Sequence, residues 1–165
     1  MRRSLTPTEL HDVYAAIGAA VWHLQFLEDV LVTYLVMRLK LKRPVTMERA
    51  HAVLVDERRR KTLGTLLRDA KTARLVHGET AEAAQVLLEE RNWLVHRSMH
   101  ECSDHLYTDE GRDALLSRLR ALKERAIQLK KKLYNDLAEW CERQGLDIAQ
   151  AEALAVEQFR RVRGV

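Results

Sequence analysis

The sequence predicts an all-α protein, an antiparallel helical bundle of about five to six helices. Three observations predict it. Apolar residues recur at spacings of three and four over several long segments, as they do on helices with one buried stripe. Ala, Leu, Glu, Arg and Lys, the good helix formers, are abundant. Six Gly and two Pro in 165 residues leave little turn chemistry for a β fold. At 47% hydrophobic residues the chain is not composed like a disordered one. Its length suits one domain, 1–165, with the bundle proper over about 8–140.

The first helix is expected from Thr8, after Pro7 and with Glu9 in its first turn, to about residue 40. Val13, Ile17, Ala20, Val21, Leu24, Leu27, Leu31, Tyr34 and Leu35 give it a core stripe. Gly18 is where so long a helix would bend. Glu28 lies one position off the stripe. It reads either as a boundary carboxylate or as an acid that orients an arginine elsewhere. Residues 40–44 form a basic turn, and Thr46 is a candidate cap for a second helix over 46–55. The charged run 56–61, Asp-Glu-Arg-Arg-Arg-Lys, reads as a solvated helix start or a phosphate-contacting surface.

A third helix is expected over 62–76 on Leu63, Leu66, Leu67, Ala70 and Leu75, closed by His77-Gly78. The fourth starts at Glu79 or Thr80, and Ala84, Leu87, Leu88, Arg91 and Val95 share one face. Residues 97–107 show no clean period. Thr108, Asp109 and Glu110 start a fifth helix that runs to about 143 on Leu115, Leu119, Leu122, Ala126, Leu129, Leu133, Leu137 and Trp140. Gln144-Gly145 stops it. Asp147 with Gln150 opens a sixth over 147–162, whose apolar line should dock on the bundle or a partner.

Net charge is +4, with a pI of about 9.2. That is compatible with a nucleic-acid partner and equally with an ordinary solvated surface. Met1-Arg2-Arg3 leads to no apolar leader, and the longest apolar stretch, 30–35, is too short to span a bilayer. The expectation is a cytoplasmic protein with no membrane association and with Cys102 and Cys141 reduced.

The most informative stretch is Arg91-Asn92-Trp93-Leu94-Val95-His96, at the end of the fourth helix. A histidine can take or give a proton near neutrality. A guanidinium can hold a phosphate with two parallel hydrogen bonds and stabilise the charge that grows there. At 3.6 residues per turn Arg91 and His96 point roughly 140° apart. They can address one ligand only if the helix ends between them or if a second subunit completes the site. Each residue also has a plainer reading: Arg91 in a structural ion pair, Asn92 as a polar helix residue, His96 as a side chain suited to a helix C-terminus.

These residues resemble the HEPN superfamily of all-helical domains, which carries Arg, a polar residue, a short spacer and His. Arg91, Asn92 and His96 fit its shortest spacing, and the leading helix with Leu27-Glu28 fits its helix order. The resemblance implies a metal-independent endoribonuclease, a toxin or defence effector, with Arg91, Asn92 and His96 catalytic. It also implies RNA as substrate, a homodimer with a composite site, and a cognate antitoxin of nucleotidyltransferase type. Ser98 stands where toxins paired with such antitoxins commonly have the Tyr that the antitoxin modifies. The alternative within the resemblance is a non-catalytic interaction or RNA-binding module.

His96, His100, Cys102, Asp104 and His105 are the densest set of potential metal ligands. The segment lacks the Glu of H-E-x-x-H and any C-x-x-C, so neither a metal nor a cofactor is expected, and a zinc or small-ligand bundle is the third reading.

Overall fold

The stripe on the first helix and the stripe on the long penultimate one are complementary apolar surfaces, and they pack on each other. A computed structural model describes residues 2–40 and 47–145, and every regular element among them is helical. Helix α1 is Pro7–Leu35, running on as a π turn, Val36–Lys40. Then come α2 (Met47–Arg60), α3 (Leu63–Thr72), α4 (Gly78–His96), the short α5 (Ser98–Cys102), a 3-10 turn (His105–Tyr107) and α6 (Asp109–Arg143). The expected sixth helix over 147–162 and the turn at 41–46 lie outside the described residues.

The α1–α6 pair forms the longest interface. Leu24, Leu27 and Leu31 of α1 and Leu119, Leu122 and Leu133 of α6 are buried in one core with Leu63, Leu66 and Leu87. Each such side chain stabilises the fold by about 1.5–3 kcal/mol through area removed from water. Three contacts show that α1 and α6 point the same way: Glu9 meets Arg112, Phe26 meets Lys130, and Arg38 meets Trp140.

The start of α1 is pinned to the start of α6. Thr6 caps α1 in a capping box with Glu9, and Pro7 occupies the first turn, where its missing N–H costs nothing. Arg3 donates to Glu9 and to Asp109, and its backbone N–H donates to the Tyr107 carbonyl at 2.9 Å. The buried Arg112 bonds the Leu106 carbonyl at 2.8 Å, Glu9 at 3.0 Å and Asp109. Arg3 above all, and the Thr6 backbone N–H next, hold the Glu9 carboxyl far below the usual range.

Several local expectations are corrected. The charged run 56–61 does not start a helix; residues up to Arg60 end α2, held by Asp56–Arg60 and Glu57–Lys61 pairs at 2.9 and 2.7 Å. Helix α3 stops at Thr72 because Arg74 adopts φ 54°. The Leu75 N–H then reaches the Ala70 carbonyl (2.9 Å) and the Arg74 N–H that of Lys71 (3.0 Å), a Schellman closure without glycine. Gly78, with φ +54°, opens α4 and does not close α3. Helix α1 is unbroken through Gly18. Residues 7–40 are also long and apolar enough to cross a membrane by length and composition, with a best window of mean hydropathy 1.3, although no single uninterrupted apolar run is. In this fold the stripe faces α6 and α3.

Candidate active site

Helix α4 delivers the Arg91–His96 stretch. Its first turns bury Ala84 and Leu87 against the core. Further along, the buried side of the helix runs through Leu94 in the same core, so Val95, expected on the buried face, is 52% exposed. Anchoring passes to Trp93, 2% exposed, and Leu94. The Trp93 indole N–H donates to Glu101 of α5 at 2.7 Å. Arg118 of α6 lies over the Trp93 ring, 3.4 Å from its centroid, and grips Glu90 with two bonds of 2.8 and 3.0 Å. Glu90, Trp93, Glu101 and Arg118 therefore fix the end of α4 from beneath. Sequence reasoning did not single out this set. Its one local signal was a Trp inside the motif, two residues after Arg91.

Helix α4 runs without a break through His96 and caps at Arg97, whose N–H donates to the Trp93 carbonyl at 2.9 Å. The helix does not end between Arg91 and His96, so their roughly 140° divergence stands. Asn92 and His96, four apart, share an exposed side. Residues 97–107, expected as an irregular loop, hold α5 and the 3-10 turn. The Ser98 hydroxyl donates to the Leu94 carbonyl at 2.6 Å, filling the acceptor that the break at Arg97 disturbs.

Arg91 is half-buried. Its Nη1 donates to the Asn92 Oδ1 at 3.3 Å, and among the described residues no carboxylate lies within 4 Å of it. Glu28, which reads in the sequence either as a boundary carboxylate or as the acid that orients Arg91, lies close enough to feel its charge. Burial pushes the Glu28 carboxyl up, while the Arg91 charge and then the Leu63 backbone N–H work the other way. The structure thus places Glu28 and Arg91 in one neighbourhood without a direct pair. Among the described residues the exposed His96 ring makes no hydrogen bond.

The remaining polar cluster disperses. Asp104 faces Arg2 at 3.5 Å, and His100 and His105 are exposed. Cys102 is half-buried; burial raises its thiol pKa and Arg118 opposes this. Among the described residues no three His, Cys, Asp or Glu side chains are grouped to hold a metal ion.

The fold and this site define an all-α helical bundle with exposed Asn92 and His96 and an arginine that meets no carboxylate among the described residues, all towards one helix end. Comparison with known proteins finds no family model, curated protein or solved structure that matches the chain. Chemically, the arrangement offers a cation for an anionic ligand and an imidazole open to solvent. They face different ways on one helix.

Proposed function

We propose that this protein is a metal-independent endoribonuclease that works as a homodimer, with Arg91, Asn92 and His96 of both copies at one cleft. The observation that carries this reading is Arg91. A half-buried guanidinium that meets no carboxylate among the described residues is suited to an anion from outside, and a phosphodiester is such an anion. The unbroken helix adds the second copy, since one chain turns Arg91 and His96 apart.

In the proposed reaction His96 removes the ribose 2′-OH proton. The 2′-oxygen bonds to phosphorus and the bond to the 5′-oxygen breaks. Water gives that leaving oxygen its proton, so each of the two sites pairs the His96 of one chain with the Arg91 of the other, and the products are a 2′,3′-cyclic phosphate and a 5′-hydroxyl. Arg91 holds the phosphoryl oxygens as charge builds, and Asn92 orients the phosphate. The resemblance adds the setting, a toxin or defence effector restrained by an antitoxin. With the Ser98 hydroxyl bonded to Leu94, such an antitoxin would need another handle.

The test is RNA cleavage in EDTA, on total and transfer RNA, with wild type and His96→Ala. Fragments ending in 2′,3′-cyclic phosphate from wild type only, with His96→Ala slower by about 10²–10⁴, support the reading. Equal cleavage by both proteins, or none by either, removes it.

A second reading is a non-catalytic interaction module. It is favoured by the His96 ring, which no hydrogen bond among the described residues orients, and by Met99, 81% exposed, beside the exposed Val95. This reading expects salt-resistant association without turnover.

A further inference from the structure

Away from the end of α4, a groove of about 610 Å³ runs between α1 and α6. Phe26, Asp29, Arg58, Lys130, Lys131 and Tyr134 line it above a floor of smaller apolar side chains. Phe26 and Tyr134 are both close to half exposed. Trp22 stands at its edge with its ring perpendicular to Phe26, centroids 5.5 Å apart. Lys130 sits over the Phe26 ring at 5.5 Å. Arg58 engages Asp29 at 3.0 Å, which cancels the single acid of the lining. Lys130 and Lys131 have no carboxylate within 4 Å among the described residues.

We propose that this α1–α6 groove binds single-stranded RNA, its bases on Phe26 and Tyr134 and its phosphates on Lys130 and Lys131. The identity of the strand rests on the ribonuclease reading; the binding does not. Flat aromatic faces accept any base, and a cationic edge tracks a backbone, the combination that single-strand binders use. An uncompensated pair of lysines matches phosphate charge, and a concave strip between two helices suits a strand. Lys130 lies about 18 Å along α6 from Arg118, which holds Glu90 beside Arg91. The groove therefore holds RNA at a distance from the cleavage point, and strands of several nucleotides bind tighter than dinucleotides.

The test uses the full chain and a fluorescent 2′-O-methyl oligoribonucleotide, which has no 2′-OH to attack. Binding is read by anisotropy over a range of salt. Phe26→Ala is expected to weaken binding about tenfold. Lys130→Ala with Lys131→Ala should weaken it too, and should lower the slope of log affinity against log salt by about 1.4, the loss of two phosphate contacts. Lys131→Ala alone, at an exposed position, should lower it by half as much. Unchanged affinity and slope in these variants overturn the proposal. So does binding to anionic phospholipid vesicles but not to the strand, or loss of self-association in Phe26→Ala with no strand binding in wild type. Because the strand cannot be cleaved, this result is independent of whether His96 is catalytic.

Discussion

The Arg118 guanidinium stacks 3.4 Å above the Trp93 ring while it holds Glu90 with two hydrogen bonds. One α6 side chain thus fixes the two α4 residues that bracket Arg91 and Asn92. Removing it in Arg118→Ala takes away the stack and leaves Glu90 unpaired, at a cost of about 1–2 kcal/mol. Since the Arg118 side chain is 40% exposed, solvent screens part of the pair and the lower end is the better expectation. The melting temperature should fall by about 2–6 °C. Arg118→Lys should recover little, because an ammonium neither stacks flat nor binds in two places. If Arg118→Lys melts like wild type, the stack and the fork contribute nothing.

The Glu28–Arg91 neighbourhood sets a pH dependence. Burial raises the folded-state pKa of Glu28, so the folded chain binds that proton more tightly than the unfolded one. The resulting cost is complete above the folded pKa and is relieved as pH falls through it. In Arg91→Ala the opposing charge is gone and the Glu28 pKa rises further. That variant should melt below wild type at pH 7, with the gap narrowing at pH 4. Thermal melts of both proteins across this range check it, and a gap that stays constant would show that Arg91 does not act on Glu28.

Glu57 has the opposite sign. Lys40 first and Lys61 next hold its carboxyl below the usual range. Its contribution is present above the unfolded pKa and is lost as pH falls through the folded one. The carboxylate is nearly buried between Lys40 and Lys61, and Lys61 also reaches Asp69 at 2.8 Å. Glu57→Ala leaves two ammonium groups with one acid and should cost about 1–3 kcal/mol at pH 7 in urea unfolding. A cost under a few tenths of a kcal/mol would mean that Lys40 and Lys61 simply turn to water.

Arg74 closes α3 in a left-handed conformation that costs a residue with a Cβ about 1–2 kcal/mol. It is exposed, and the closure uses only its backbone. Arg74→Gly should therefore raise stability, by about 0.5–1 kcal/mol once glycine's greater freedom in the unfolded chain is subtracted. Urea midpoints of the two proteins decide it; a loss of stability would mean that the side chain has a partner in solution.

Arg74 also shows what the sequence conceals. The α1 and α6 stripes were legible because each repeats the helical period many times, and α6 was bounded by Thr108 at one end and Gln144-Gly145 at the other. The end of α3 was hidden because its turn uses Arg where glycine is the usual sign. Trp93 and Arg118 are 25 positions apart, and no local period links them. Arg91, Asn92 and His96 stood out as a motif; the bidentate Glu28–Arg91 pair, one of two readings of Glu28, is not formed, although the two lie close enough for the Arg91 charge to act on Glu28. That α4 would carry Val95 into solvent was not legible, since a period fixes one side of a helix and not what lies opposite.

The divergence of Arg91 and His96 gives a test of the two-chain site. Suppose the arginine of one copy acts with the histidine of the other. Arg91→Ala and His96→Ala are then each inactive alone, but a mixed dimer keeps one intact pair, Arg91 from one chain and His96 from the other. Random exchange makes half the dimers mixed, each with one working site of two, so mixing equal amounts should restore roughly a quarter of wild-type cleavage. A site within one chain gives no recovery, because every chain in the mixture lacks one of the two groups. Val95 and Met99, exposed beside His96, are where the copies would meet. Met99→Glu should place like charges together at the two-fold axis, shift the protein to monomer in sedimentation, and remove cleavage while Arg91, Asn92 and His96 remain. Cleavage by a Met99→Glu monomer, or no recovery in the mixture, would return the site to a single chain. Arg91 would then need another way to reach the phosphate that His96 acts on.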